Sequence, residues 1–90
     1  MNITLVKKIL ADGSPCRKCA DVLHKLEQGG YLAQIDQIVE AIETDPDSRG
    51  MQLAKQYEVD RAPFFLVEQD DGSTEVYTVY LKFQMEVLDA

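Results

Sequence analysis

Ile35-Asp36-Gln37-Ile38-Val39-Glu40-Ala41-Ile42-Glu43-Thr44 fits two periods, and the choice between them decides the fold. Ile35, Ile38, Val39 and Ile42 stand at the three- and four-residue spacing of a helical stripe, while Ile38, Glu40, Ile42 and their neighbours also fit strand alternation. Periodicity divides evenly, so context has to decide. Upstream, Ile3-Thr-Leu-Val-Lys-Lys-Ile-Leu10 is rich in β-branched and apolar residues and stops at the breaker cluster Asp12-Gly13-Ser14-Pro15, which reads as a first strand. A helix at 35–44 leaves that strand without a parallel partner and the domain without a sheet. Gln37 to Glu43 is therefore read as a strand.

The remaining elements follow from the same signals. From Cys16 to Gln28 the apolar positions Cys19, Val22, Leu23 and Leu26 recur with helical spacing, and Gly29-Gly30 ends the pattern. Asp45-Pro46-Asp47-Ser48 supplies a turn and a helix cap, with Met51, Leu53, Ala54 and Tyr57 as the inward positions of a short helix that contains Gly50. Phe64 to Glu68 and Thr74 to Leu81 are β-type runs joined by Asp70-Asp71-Gly72-Ser73, a hairpin signal that makes them antiparallel neighbours. Lys82 to Ala90, with Phe83, Val87 and Leu88, forms a final short helix. The predicted order is β-α-β-α-β-β-α: a four-stranded mixed sheet with helices on both faces, its crossover connection right-handed. Adjacent Phe64 and Phe65 then point to opposite, covered faces.

Ninety residues suit one domain, and the composition, 46% apolar and 28% charged, is that of a folded globular chain. Nine basic against sixteen acidic side chains leave a formal charge of −7, which repels phosphate-covered surfaces and argues against nucleic acid and membrane partners. No apolar run approaches a membrane span, and Lys7 and Lys8 interrupt the first strand in a way the core of a signal peptide does not tolerate. The cytoplasm is the expected compartment.

Both cysteines of the chain fall in Cys16-Arg17-Lys18-Cys19. A bridge across so short a loop restrains little of the unfolded chain, so the pair is read as chemical rather than structural. At a helix start the two sulfurs lie one turn apart on the same face, within reach of each other. Unpaired amides at the helix N-terminus, with Arg17 and Lys18 as tuning charges, favour the Cys16 thiolate and make it the candidate nucleophile. Such positive charge stabilises the reduced pair and weakens it as a reductant. Pro63, directly before a β-run, sits at a strand start or a distorted point of the ladder.

With its Cys-x-x-Cys at the junction of strand one and helix one, followed by Leu53-Ala54-x-x-Tyr57-x-Val59-x-x-x-Pro63 leading into a hairpin, the chain resembles the thioredoxin-like superfamily over nearly its whole length. The length favours the compact, glutaredoxin-like form. The resemblance implies a thioredoxin-like three-layer fold, a cis Pro63 opposite the cysteine pair, and an Ala62 main chain that pairs with an incoming substrate. It further implies thiol-disulfide exchange on protein disulfides, with Cys16 as the attacking thiolate and Cys19 as the resolving thiol, and no cofactor. Where glutaredoxins carry a Gly-Gly turn after the hairpin, this chain reads Tyr80-Leu-Lys-Phe-Gln84, which argues against glutathione as the reductant. The tryptophan and buried aspartate of thioredoxins are likewise replaced: Pro15 precedes Cys16, and the aspartate position falls near Leu10.

Two other classes compete. Two thiolates are half the ligand set of a zinc or iron-sulfur site, but the lone histidine, His24, stands five residues from Cys19 and off its helical face, so a metal would have to be shared with a second subunit or a small thiol. An interaction or accessory module, with its cysteines used for docking or sulfur carriage, is the other. No glycine-rich phosphate loop or Ser/His/Asp arrangement is present.

Overall fold

Gln37–Ile42 is a strand: in the computed structural model, which describes residues 1–90, it forms β2 and runs parallel to β1, Asn2–Ile9. The register runs from Thr4 opposite Gln37 to Ile9 opposite Ile42. Asp36 sets its start, donating its N–H to the Ile3 carbonyl at 2.9 Å while its carboxylate accepts the Ile3 N–H at 2.6 Å. The ambiguity of this stretch has a physical source. β2 is the edge of the sheet, with Ala41 buried and Ile38 42% exposed, while Ile35 packs on the core from the turn before it.

The chain folds into a small α/β domain with a four-stranded mixed sheet, ordered β2-β1-β3-β4, and three helices. Helix α1 is Arg17–Gln28 and α2 is Arg49–Gln56; β3 is Phe64–Glu68 and β4 is Thr74–Tyr77. β3 is antiparallel to both β1 and β4. The last helix, α3, is Tyr80–Phe83 and continues as a π-helical turn over Gln84–Leu88. No helix is long and apolar enough to cross a membrane.

The sheet has a core on each face. On one, Ile3, Leu5, Phe65 and Val67 meet Val22 and Leu26 of α1 together with Phe83 and Leu88. On the other, Val6, Phe64 and Leu66 meet Ala41 and Leu53. The consecutive burial of Phe64, Phe65, Leu66 and Val67 is what a central strand covered on both sides requires.

α1 ends in a glycine-dependent cap: Gly30 takes φ +73°, Tyr31 N–H reaches back to the Leu26 carbonyl at 2.9 Å, and Gly30 N–H to that of Glu27 at 3.2 Å. Ser48 stands at the N-cap of α2, but its hydroxyl does not cap the helix. It donates to the Asp45 carbonyl and accepts the Ile42 N–H, tying the loop to the end of β2.

One expectation is corrected. The β-type run 74–81 stops at Tyr77, and the last helix starts at Tyr80 rather than Lys82. Tyr77 pairs with Phe65, near the start of β3; two residues before Phe65 the chain is Pro63, which has no N–H to offer a ladder. Unpaired beyond that point, the chain turns and lays Phe83 on Phe65, rings stacked at 3.8 Å and 9°.

Gly50 is a packing requirement. It is buried in α2 where the helix crosses β2, and a methyl group there would overlap the Glu40 carbonyl and the Ala41 nitrogen. Overpacking against main chain that cannot yield is expected to lower the stability of Gly50→Ala by about 3 kcal/mol in urea unfolding. A loss below roughly 0.5 kcal/mol, the range of ordinary surface substitutions, would mean that α2 does not press on β2 there.

Candidate active site at the cysteine pair

Cys16 and Cys19 sit where β1 hands over to α1. The loop between them is tied tightly. Ser14 donates from both its N–H and its hydroxyl to the Asp12 carboxylate, at 2.9 and 2.6 Å. Gly13 takes φ +86°, a conformation that favours glycine, and Leu10 N–H donates to the Ser14 carbonyl at 2.8 Å. Pro15 bridges back to Ile9, so the loop delivers Cys16 to the N-cap of α1 in extended conformation, φ −61° and ψ 136°.

Lys8 holds both cysteines through its main chain. Its carbonyl accepts the Cys16 N–H at 3.0 Å, and its N–H donates to the Cys19 sulfur at 3.3 Å. Both thiols are free, and they differ sharply in surroundings: Cys16 is half-buried, and Cys19 is 1% exposed.

The electrostatics follow. Burial alone would raise the Cys16 thiol, but the Cys19 amide and thiol, the Lys18 amide and the Lys8 charge outweigh it and hold Cys16 below the ordinary thiol value. Burial dominates at Cys19 and, reinforced by its neighbour's thiol and against the Lys8 amide, pushes it up to about 11. The tuning role that the sequence assigned to Arg17 and Lys18 is thus redistributed. Both side chains are exposed; Lys18 acts on Cys16 through its amide, and the ammonium that acts is that of Lys8. Lys8 is the residue that sequence reading missed. The available signal was a lysine near the C-terminal end of a buried strand, where a charge is out of place without a reason.

Ala62 and Pro63 are half-buried and line, with Lys18, a groove of about 580 Å³ that runs between α1 and the start of α3. The Ala62–Pro63 peptide bond is cis. Neither the N–H nor the carbonyl of Ala62 takes part in a main-chain hydrogen bond. On the other side of Ala62 lies a smaller cavity of about 190 Å³, walled by Met51, Ala54, Val59 and Phe64 with Lys8 at its edge. His24 is exposed on α1, and no group of three His, Cys, Asp or Glu side chains converges on one point. The cysteine pair therefore finds no further ligands within this chain.

Comparison with protein-family profiles, with curated proteins and with solved structures returned no match.

The two thiols should separate cleanly by pH. Because only thiolate alkylates, a lowered pKa moves reactivity to lower pH and a raised one to higher pH. Alkylation of reduced protein by iodoacetamide, read by mass spectrometry, is expected to modify Cys16 with a midpoint below that of free cysteine and to leave Cys19 unmodified until the pH nears 11. Lys8→Met is expected to raise the Cys16 midpoint; an unchanged midpoint would remove the ammonium from the account.

Proposed function

We propose that this chain is a thiol-disulfide oxidoreductase of thioredoxin-like architecture, working through the Cys16–Cys19 pair on protein disulfides. The observation that carries the reading is the asymmetry of the pair: a half-buried thiol held below its ordinary pKa, beside a fully buried thiol raised to about 11, both bonded to the main chain of one residue. A structural cysteine pair has no need of that division. Exchange chemistry does, because the attacking sulfur has to be thiolate and reachable, while the resolving sulfur has to stay protonated until a mixed disulfide forms. The element order β-α-β-α-β-β-α and the place of Pro63 at the entrance to β3 give further support.

In the proposed cycle the Cys16 thiolate attacks one sulfur of a substrate disulfide. The Cys16–substrate bond forms as the substrate disulfide breaks, and the departing substrate sulfur leaves as thiolate. Cys19 then gives up its proton, which ends on that sulfur, and attacks Cys16; the second substrate sulfur leaves, protonated from water. Two electrons have passed from the dithiol to the substrate, and a thiol reductant restores the pair. Forming the mixed disulfide consumes the Cys16 thiolate whose thiol and charge help hold up Cys19, so the resolving step is eased by the step before it. That the Ala62 main chain makes no hydrogen bond of its own supports its pairing with an extended substrate.

Equilibration in a graded thiol/disulfide buffer series, with thiol labelling as the readout, is expected to give one two-electron midpoint for Cys16 and Cys19. Cys19→Ser is expected to accumulate a mixed disulfide and Cys16→Ser to lose exchange altogether. Lys8→Met should shift the midpoint toward more reducing values, because removing the ammonium destabilises the thiolate form. A pair that stays reduced across the series would favour an accessory role, and labelling that appears only after a chelator would favour a metal-binding one.

A further inference from the structure

The charges of this protein are not evenly spread. Of the nine basic side chains, Lys8, Lys18, Lys25 and Arg61 line the two cavities flanking Ala62. Of the sixteen acidic ones, only Asp21, Glu43 and Asp60 line those cavities. A chain with a formal charge of −7 therefore sets four cations against three carboxylates around Ala62, with Asp21 and Asp60 sharing the larger groove, and keeps most of its negative charge elsewhere.

Within the larger groove the cations are available. Lys18 and Lys25 are exposed and have no carboxylate within 4.0 Å; Arg61 has one partner, Asp60, at the 4.0 Å limit and open to solvent. The Lys25 ammonium stands 5.7 Å from the centre of the Tyr80 ring, which places it over the groove wall. Between them runs the Ala62 main chain with donor and acceptor both free, which is what an extended polypeptide pairs with and a small anion does not need.

Resting on the oxidoreductase reading, we propose that the groove selects polypeptide substrates whose cysteine is flanked by aspartate or glutamate, with Lys18, Lys25 and Arg61 receiving the carboxylates while the Ala62 main chain pairs with the substrate backbone. Opposite charge on the two partners speeds encounter and orients the chain across the cysteine pair, and such steering fades with salt.

Three synthetic peptides of one length, each with a single cysteine activated as its 2-thiopyridyl disulfide and flanked by acidic, neutral or basic residues, are reacted with stoichiometric reduced protein, and release of 2-thiopyridone gives the rate. The acidic peptide is expected to react about tenfold faster than the neutral one at low ionic strength, with the basic one slowest and the differences collapsing in high salt. Lys25→Ser with Arg61→Ser, both exposed positions, is expected to bring the acidic-to-neutral ratio close to one. Equal rates for the three peptides overturn the proposal and leave the oxidoreductase reading intact. Equal acceleration of glutathione disulfide by the same two cations also overturns it, since the groove then reads a small thiol rather than a chain.

A second arm needs no chemistry. The acidic peptide with serine in place of cysteine is titrated into Cys16→Ser, Cys19→Ser protein and followed by amide chemical shifts, with perturbations expected at Lys18, Lys25, Arg61 and Ala62 that the basic peptide does not cause. Binding in this arm with no exchange in the first supports the groove's preference and overturns the oxidoreductase reading. No binding here, with equal rates there, overturns the preference alone.

Discussion

The main chain of Lys8 donates to the Cys19 sulfur and accepts from the Cys16 amide, and the chemistry of the pair depends on those two bonds. They are possible because the ladder to β3 stops at Val6 while the ladder to β2 runs on to Ile9, so the C-terminal end of β1 is held from one side and its Lys8 main chain is open on the other. α1 springs from that end with its first turn against the strand it has just left. One cysteine is left at the rim of the helix and the other is driven beneath it. The difference in burial, with the hydrogen bonds and the Lys8 charge, then separates two side chains of the same type into a thiol held below its ordinary pKa and one pushed above it.

The groove beside Ala62 depends on β3. Phe64 and Phe65 anchor it in both cores, and the stacked Phe65–Phe83 pair draws the C-terminal segment over the same face. Burial of each of these rings contributes about 2–3 kcal/mol. That anchorage fixes Pro63 and Ala62 immediately before the strand, while the Asp60–Ala62 segment, outside the ladder, keeps its main chain free. Rigid strand and unpaired loop meet at one residue.

Much of this was legible in the order of residues. The two strands of the hairpin, the Gly29-Gly30 stop, the cysteines at a helix start and the paired phenylalanines all follow from local rules: periodicity, turn chemistry and the inability of glycine-rich turns to continue a helix. The places where reading the chain failed share a cause. Leu81 looks like strand but is 62% exposed in a helix, because the ladder that would have held it ends near Pro63, far away in sequence. Gly50 looks like a weak point in a helix and is a close contact with β2. Lys8 looks like one of two lysines in a strand, and only the fold brings its amide, carbonyl and ammonium to the cysteines.

By itself the sequence determined which segments could be helix or strand, that both sides of the sheet would be covered, and that the two thiols would share a helix turn, since each depends on residues within a few positions of one another. Only the tertiary structure decided how far the surroundings of the two thiols diverge, which cation acts on the half-buried one, and that Lys18, Lys25 and Arg61 border one groove. Those are properties of distance through space. Burial and charge act over a few ångströms without regard to sequence separation, and they are set only when β1, α1 and the approach to β3 are packed together.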